Sequence, residues 1–138
     1  VIYLETNAIL YTSLVAHGRN TGEEFANSFS NTNSSYKSSL GFYLTGEVYQ
    51  GKHGMSLKLD GLEKGVNDNA RQRGVVMHSA NYVSNSFIKS NKRLGRSQGC
   101  PAIPQELLSG IVNTIKNKSC LFIYHPSRSL DKIAVLSS

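Results

Sequence analysis

The sequence predicts a mostly-β single domain with one main helix, which follows a cysteine-containing turn. Short apolar runs recur along the chain, and they alternate with polar residues or are bounded by glycine-rich turns. A clear helical spacing of apolar residues occurs in one segment, after Pro104. With 138 residues, the chain has the length of one domain that buries its own hydrophobic core.

The first forty residues are predicted to form a hairpin and a long loop. Residues 1–5 and 8–16 are rich in Ile, Leu, Val and Tyr, and they flank the turn-forming pair Thr6-Asn7. Residues 17–39 are polar and contain many Asn and Ser, which indicates a loop. Loops of that length inside one domain usually carry function.

Strands are predicted at residues 40–45, 55–59 and 75–78. The first two are separated by a segment with three glycines, which favours tight turns. Residues 55–59 alternate apolar and polar side chains, as in a half-buried strand. A short helical turn is expected at residues 67–71.

The main helix is predicted to begin with Pro104 at its first position. Its apolar stripe consists of Leu107, Leu108, Ile111, Val112 and Ile115. A strand follows at residues 120–124. We therefore expect one domain over residues 1–125 and a C-terminal tail over residues 126–138.

The segment Leu94-Gly95-Arg96-Ser97-Gln98-Gly99-Cys100-Pro101 has the composition of a turn that presents a nucleophile. Gly99 lets the backbone adopt a positive φ or approach a substrate closely. Ser97 and Gln98 offer hydrogen-bond donors, and Arg96 offers a fixed positive charge for a substrate carboxylate. These three side chains are therefore predicted to bind substrate.

His78 is the candidate base for Cys100. It ends the apolar run at residues 74–77, and an imidazole can accept the thiol proton and later return it to a leaving amine. The backbone N–H groups of Gly99 and Cys100 are predicted to bind the oxyanion. His53 is a further candidate to line this cleft. On the alternative interpretation, Cys100 is an ordinary turn cysteine and His78 a hydrogen-bonded strand end.

The two cysteines permit one disulfide, but the sequence favours two free thiols. Cys120 lies in an apolar run and is predicted to be buried, whereas the turn at Cys100 is predicted to be exposed and reactive. Several other side chains are assigned to ordinary structural positions. Those assigned to the core are Tyr43, Tyr49 and Tyr82, and those assigned to the solvated surface are Lys37, Arg71 and Arg73.

Composition and spacing argue against several classes of function. The formal charge is +6, but the basic residues are scattered and accompany no nucleic-acid-binding motif, so we expect no nucleic-acid partner. The cysteines and histidines lack metal-ligand spacing, so neither a metal nor another cofactor is expected. No apolar run has the roughly 18 residues of a membrane span. We expect a monomeric, trimmed domain whose targeting segment is absent.

The order His78, then Ser97-Gln98-Gly99-Cys100, resembles the L,D-transpeptidases of the YkuD type, whose signature is a histidine followed by Ser/Thr-His-Gly-Cys. The resemblance to the murein L,D-transpeptidase catalytic-domain family covers roughly residues 1–124. It is carried by Leu14-Val15-Ala16-His17-Gly18, Phe29-Ser30-Asn31, Lys37-Ser38-Ser39-Leu40-Gly41-Phe42-Tyr43, Gly51-Lys52-His53-Gly54, Leu59-Asp60-Gly61-Leu62-Glu63 and Gly95-Arg96-Ser97-Gln98-Gly99-Cys100-Pro101-Ala102.

The chain departs from the family pattern in three places. Gln98 replaces the histidine inside the cysteine motif, so this position cannot act as a base. Eighteen residues separate His78 from Ser97, slightly more than the usual gap. Pro101-Ala102-Ile103 replaces the basic or amide residue that often follows the cysteine.

The resemblance implies a β-sandwich or barrel and a peptidoglycan L,D-transpeptidase that works in the periplasm or another extracytoplasmic place. It implies that Cys100 attacks the L-centre carbonyl of the third residue of a stem peptide, usually meso-diaminopimelate, and releases D-alanine. An amine of another stem then forms a 3→3 cross-link. It also implies that the Ser79 backbone carbonyl orients His78, and that carbapenems acylate Cys100.

Three alternatives remain beside this function. With water as acceptor, the same acyl-enzyme makes the protein an L,D-carboxypeptidase. A sortase-like transpeptidase also places His before Cys, but sortases show Thr-Leu-x-Thr-Cys and a later arginine, and the only arginine after Cys100 is Arg128. The third alternative is a catalytically silent wall-binding module.

Overall fold

The computed structural model describes residues 1–22 and 25–127, and its framework is a curled five-stranded sheet. The strands of this sheet are β3 (Gly41–Gly51), β4 (Gly54–Gly61), β5 (Val76–Ser79), β6 (Ala102–Ile103) and β7 (Cys120–Ile123). Their order is β6-β5-β4-β3-β7, and every pairing is antiparallel except β5 with β6. The predicted mostly-β fold with one main helix is confirmed.

The predicted N-terminal hairpin is present but short. It consists of β1 (Ile2–Tyr3) and β2 (Ala8–Ile9), and Asn7 in the turn has a φ of 57°. The prediction of a strand over residues 8–16 was wrong beyond Ile9. The chain there leaves the hairpin and pairs at Ala16 with Ala102, which places that segment beside the cysteine turn instead.

Strand β3 continues through Gly46, although the glycines of this segment favoured tight turns. A register shift between Thr45 and Val48 forms a bulge, and this bulge binds the chain after the main helix. Asn117 N–H donates to the Gly46 carbonyl, and Ser119 N–H donates to Thr45 Oγ1. Gly46 therefore belongs to a bulge that anchors a later segment, and the tight turn of this glycine-containing segment lies between Gly51 and Gly54.

The main helix is α2 (Leu108–Ile115), preceded by a 3₁₀ turn at Gln105–Leu107. Pro104 precedes the first helical residue, because its ψ of 142° is extended; the prediction that it occupies the first helical position was wrong. Ile111 and Val112 are buried against the sheet. The core that they join contains Tyr43, Leu57, Leu59, Ala70, Val75, Met77 and Ile103.

A second, shorter helix, α1 (Asn85–Asn91), was not predicted. None of its residues is buried, so it has no apolar stripe from which the sequence could reveal it. The Ser84 hydroxyl caps it by accepting a hydrogen bond from Phe87 N–H at 3.0 Å, and Lys92 ends it with a φ of 62°.

The two cysteines are free thiols, but their predicted exposures are reversed. Cys120 is exposed and Cys100 is half-buried. Strand β7 is an edge strand whose side chains alternate, and Leu121 and Ile123 are the ones that pack on the core. All residues of this run are apolar, so the sequence did not reveal which face of the strand is buried.

Within the described residues, no helix has the length and apolar character that a membrane span requires. The same residues contain no group of three or more His, Cys, Asp or Glu side chains that could hold a metal ion. The tail predicted at residues 126–138 lies outside the described residues from Arg128 onward.

Candidate active site

An open cavity of about 330 Å³ brings together the side chains that the sequence singled out. Its wall includes Cys100, His78, His53, Arg96, Ser97 and Gln98. Strands β4 and β5 and the turn that leads into β6 form this wall. In the parallel pairing of β5 with β6, His78 lies opposite Ala102, so Cys100 lies beside Val76.

The surroundings of His78 favour a neutral imidazole with a defined tautomer. Its side chain is buried, with 2% exposed, and Nδ1 lies 2.9 Å from the Ser79 carbonyl oxygen. A carbonyl can only accept, so Nδ1 carries the hydrogen and Nε2 of the neutral ring is left unprotonated. Burial is the largest effect on the pKa of His78 and lowers it, whereas the hydrogen bond to Ser79 raises it. The charges of His53 and Lys52 lower this pKa further.

The Cys100 thiol is protonated at rest. Burial raises its pKa, while the Val76 N–H and the positive charges of Arg73 and Lys52 act in the opposite direction. Sγ accepts from Val76 N–H at 3.4 Å and contacts the Gly74 carbonyl oxygen at 3.7 Å. Within the described residues, no hydrogen bond joins this thiol to His78, so the two groups form a neutral, unlinked pair.

The cysteine turn depends on Gly99, whose φ is 114°. A Cβ atom at Gly99 would lie 2.9 Å from the Lys37 carbonyl oxygen, too close for any other residue. Ser97 Oγ donates to the Cys100 carbonyl and accepts from Gly99 N–H at 3.2 Å. The Gly99 N–H, predicted to bind an oxyanion, is therefore engaged inside the turn.

A segment near residue 17 supports the cysteine turn on both sides. Ala16 pairs with Ala102, and Gly18 pairs with Ser97. Arg19 N–H donates to the Ser97 carbonyl at 2.7 Å. This pairing brings the Arg19 side chain to the cavity, although no local pattern predicted a role for it.

The cavity wall is cationic. Arg19, Lys52, Arg73 and Arg96 contribute to it, and none of the lining residues among those described is Asp or Glu. Arg96 Nη1 lies 3.5 Å from the carbonyl oxygens of Arg19 and Gly22, which places its guanidinium over the 19–22 turn. Such a wall attracts an anionic ligand, above all a carboxylate.

His53 lies in the turn between β3 and β4 and contacts the candidate base directly. Its ring stacks on that of His78, with centroids 4.2 Å apart and planes inclined by 12°. His53 is itself exposed. It therefore covers a face of the His78 ring that would otherwise meet solvent.

Three cavity residues were assigned elsewhere by the sequence analysis. Tyr49 lines the cavity, and Tyr82 lines it while also packing against the small core cluster of Ala16, Val83 and Ala102. Arg73 lines the cavity and is half-buried, so it is not a solvated surface residue. The chain brings them there through long-range pairing, which leaves no local pattern. Tyr43 is fully buried as predicted, and Arg71 is exposed in ion pairs with Glu47 and Asp60.

Comparison with known proteins gives one match. The family described as the L,D-transpeptidase catalytic domain matches residues 1–124. That range includes His78, the cysteine turn and all seven strands. No curated protein and no solved structure matched the chain.

Proposed function

Because the chain belongs to the L,D-transpeptidase catalytic domain family, we propose that it is a cysteine-dependent peptidoglycan transpeptidase that works outside the cytoplasm. Members of this family act on peptidoglycan. The observation that carries the proposal is the cavity shared by Cys100 and His78, in which Ser79 fixes the His78 tautomer. The family match also favours this reaction over a sortase-like one.

The first half-reaction begins with a proton transfer. The Cys100 side chain turns from Gly74 toward His78, and Nε2 takes the thiol proton as Sγ attacks the carbonyl at the L-centre of the donor peptide. The tetrahedral intermediate carries its negative charge on the former carbonyl oxygen. The Cys100 N–H is the first candidate donor to this oxygen, and Gly99 N–H becomes the second when it leaves Ser97.

The second half-reaction regenerates the thiol. The intermediate collapses, the C–N bond breaks, and the D-alanine amine leaves with the proton from His78. The product is a thioester on Cys100. An acceptor amine then gives a proton to His78 and attacks the thioester, an amide forms, and the proton returns to sulfur. One amide is exchanged for another, so the bonds balance without a nucleotide.

The cationic wall supports a carboxylate-bearing donor peptide. Arg96 is the proposed partner of the terminal carboxylate, with Ser97 and Gln98 beside it as polar contacts. His53 is proposed to contact substrate from the β3–β4 turn. Because this carboxylate belongs to the leaving D-alanine, its binding places the scissile bond next to Cys100.

The proposal is tested with purified tetrapeptide muropeptides and mass spectrometry. Wild-type protein is expected to release D-alanine and form 3→3 dimers, and Cys100→Ala is expected to form neither. Cys120→Ala serves as the matched control and should retain activity, because Cys120 is exposed on β7, away from the cavity. Tripeptides without dimers would identify an L,D-carboxypeptidase, and binding without D-alanine release would identify a silent wall-binding module.

A further inference from the structure

Arg73 makes four hydrogen bonds to a single loop. Nη1 donates to the Ser30 carbonyl at 3.0 Å and to Ser39 Oγ at 2.7 Å. Nη2 donates to Ser35 Oγ at 3.2 Å and to the Lys37 carbonyl at 2.8 Å. The two terminal nitrogens carry four hydrogens, so these contacts use all of them. Arg73 therefore has no Nη hydrogen left to bind a substrate.

The loop that Arg73 holds, residues 30–39, lies directly against the cysteine turn. The Lys37 carbonyl oxygen occupies the space that a side chain on Gly99 would need. At Gly18, a Cβ would lie 2.5 Å from the Tyr36 carbonyl oxygen and 3.0 Å from Gly99 Cα. Three stretches of backbone thus meet without side chains between them, so a shift of the loop displaces the turn that carries Cys100.

No strand or helix secures residues 30–39. Where a segment lacks a ladder of backbone hydrogen bonds, side chains must satisfy its carbonyl groups. Arg73 satisfies two of them, those of Ser30 and Lys37. Other hydrogen bonds also hold the loop, such as that from Asn20 N–H to the Tyr36 carbonyl, but Arg73 is the side chain that contacts it at four points between residues 30 and 39.

Arg73 forms no ion pair with any residue that the structure describes. Within the described residues, its four partners are two carbonyl oxygens and two hydroxyl groups, and no carboxylate contacts it. Arg71, two residues earlier, shows the opposite case, because Glu47 and Asp60 both pair with it. Burial lowers the pKa of Arg73, but a guanidinium stays protonated at neutral pH. Its positive charge thus acts on the thiol across the cavity.

We propose that Arg73 is a positioning residue that locks the loop at residues 30–39 behind the cysteine turn and stabilises the Cys100 thiolate with its positive charge. Its two roles have different requirements. Locking needs the planar fork of donors, whereas the charge effect needs only a cation. The catalytic consequence rests on the proposed transpeptidase function, but the effect on the thiol does not.

The test is the pH dependence of alkylation by iodoacetamide, followed at each cysteine by mass spectrometry. Cys120 is an internal reference in every sample, because it is exposed and does not line the cavity. The variants are Arg73→Met, Arg73→Lys and the control Arg71→Met. Arg73→Gln replaces Arg73→Met if that variant does not fold, because it keeps donors without the charge.

Arg73→Met is expected to move Cys100 alkylation to higher pH and to slow it about tenfold at neutral pH, since only the thiolate reacts. Arg73→Lys should keep the wild-type alkylation profile but lose most acyl transfer, because an ammonium cannot make the four-bond fork. Arg71→Met should match wild type in both assays. An unchanged Cys100 profile in Arg73→Met, or equal shifts in the Met and Lys variants, would overturn the proposal. This readout needs no peptidoglycan, so it stands apart from a failure of the proposed function.

Discussion

The ring of His53 lies flat on the ring of His78, 4.2 Å away between centroids. The two residues sit on different elements, the β3–β4 turn and strand β5, so the tip of one hairpin covers the candidate base of the next strand. Two effects of this arrangement have the same direction, because burial of the His78 ring and the charge of His53 both lower the pKa of His78. His53 therefore helps to keep Nε2 unprotonated.

His53→Ala is expected to raise the pKa of His78, because the base gains solvent and loses a neighbouring charge. A base with a higher pKa is protonated at a higher pH, so the acid limb of the pH–rate profile for acylation should move upward. His125→Ala is the control, since the His125 ring contacts that of Phe29 at an interplanar angle of 51° and does not line the cavity. An acid limb that stays in place would show that the stacking has no effect on the base.

A carbapenem is expected to form a covalent adduct on Cys100, seen as a mass increase of the intact protein. Cys100→Ala should form none, and Cys120→Ala should react like wild type. His78→Ala should slow adduct formation by about 10²–10⁴, the usual contribution of a positioned general base. A folded, reduced sample that gives no adduct would contradict the assignment of Cys100 as the nucleophile.

Arg96→Gln is expected to raise the KM for a donor peptide with a free C-terminal carboxylate about tenfold, because a charge-assisted hydrogen bond is lost. The matched substrate is the same peptide with a C-terminal amide, which has no carboxylate for Arg96 to bind. The KM of wild type and variant should therefore differ for the peptide acid and agree for the peptide amide. An equal loss on both substrates would mean that Arg96 supports the cavity without contacting the carboxylate.

Gly99→Ala is expected to lower the free energy of unfolding by about 1–3 kcal/mol and to reduce acylation, because the new methyl group meets the Lys37 carbonyl at an unfavourable φ. Gly65→Ala is the control, since Gly65 has a φ of 76° but nothing within 4 Å of a new Cβ. That variant should cost about 1 kcal/mol from backbone strain alone and leave acylation unchanged. Urea denaturation measures the free energy of unfolding of both variants. Equal losses in the two would exclude a role for the close approach of Gly99 to the Lys37 carbonyl.

The protein is expected to lose stability as the pH falls below 6.5, the ordinary pKa of histidine. Burial holds the pKa of His78 in the folded protein below the usual histidine value of 6.5, so the unfolded chain binds this proton more readily once the pH falls below 6.5. Stability from the neutral ring is therefore present above that value and is lost below it. Thermal denaturation of wild type and His78→Gln tests this, because the variant should show a flatter dependence on pH. If stability falls equally steeply with pH in wild type and His78→Gln, groups other than His78 cause the pH dependence.

Local patterns predicted the elements around the site, because each leaves a signal within a few residues. The alternation at residues 55–59 placed β4, the apolar stripe from Leu107 placed α2, and the small polar residues before Cys100 placed the turn. The family resemblance was confirmed. The roles of Cys100, His78 and Ser79 stay predictions.

Long-range geometry was not predictable in the same way. Arg73 reaches partners between residues 30 and 39, and Tyr82 reaches Gly95, where a Cβ would lie 2.3 Å from its side chain. Neither contact follows from spacing along the chain. Cys120 shows a different limit: an edge strand made only of apolar residues does not tell which face it buries.

The pairings of Ala16 with Ala102 and of Gly18 with Ser97 also bear on how the protein acquires its site. Each joins segments about eighty residues apart, so each must wait for most of the chain to fold and costs more entropy to close than a hairpin contact. We therefore expect the cysteine turn to gain its final shape after the hairpin of β3 and β4 has formed. On that expectation, the surroundings proposed to direct the Cys100 thiol are completed only when segments from both halves of the chain have met.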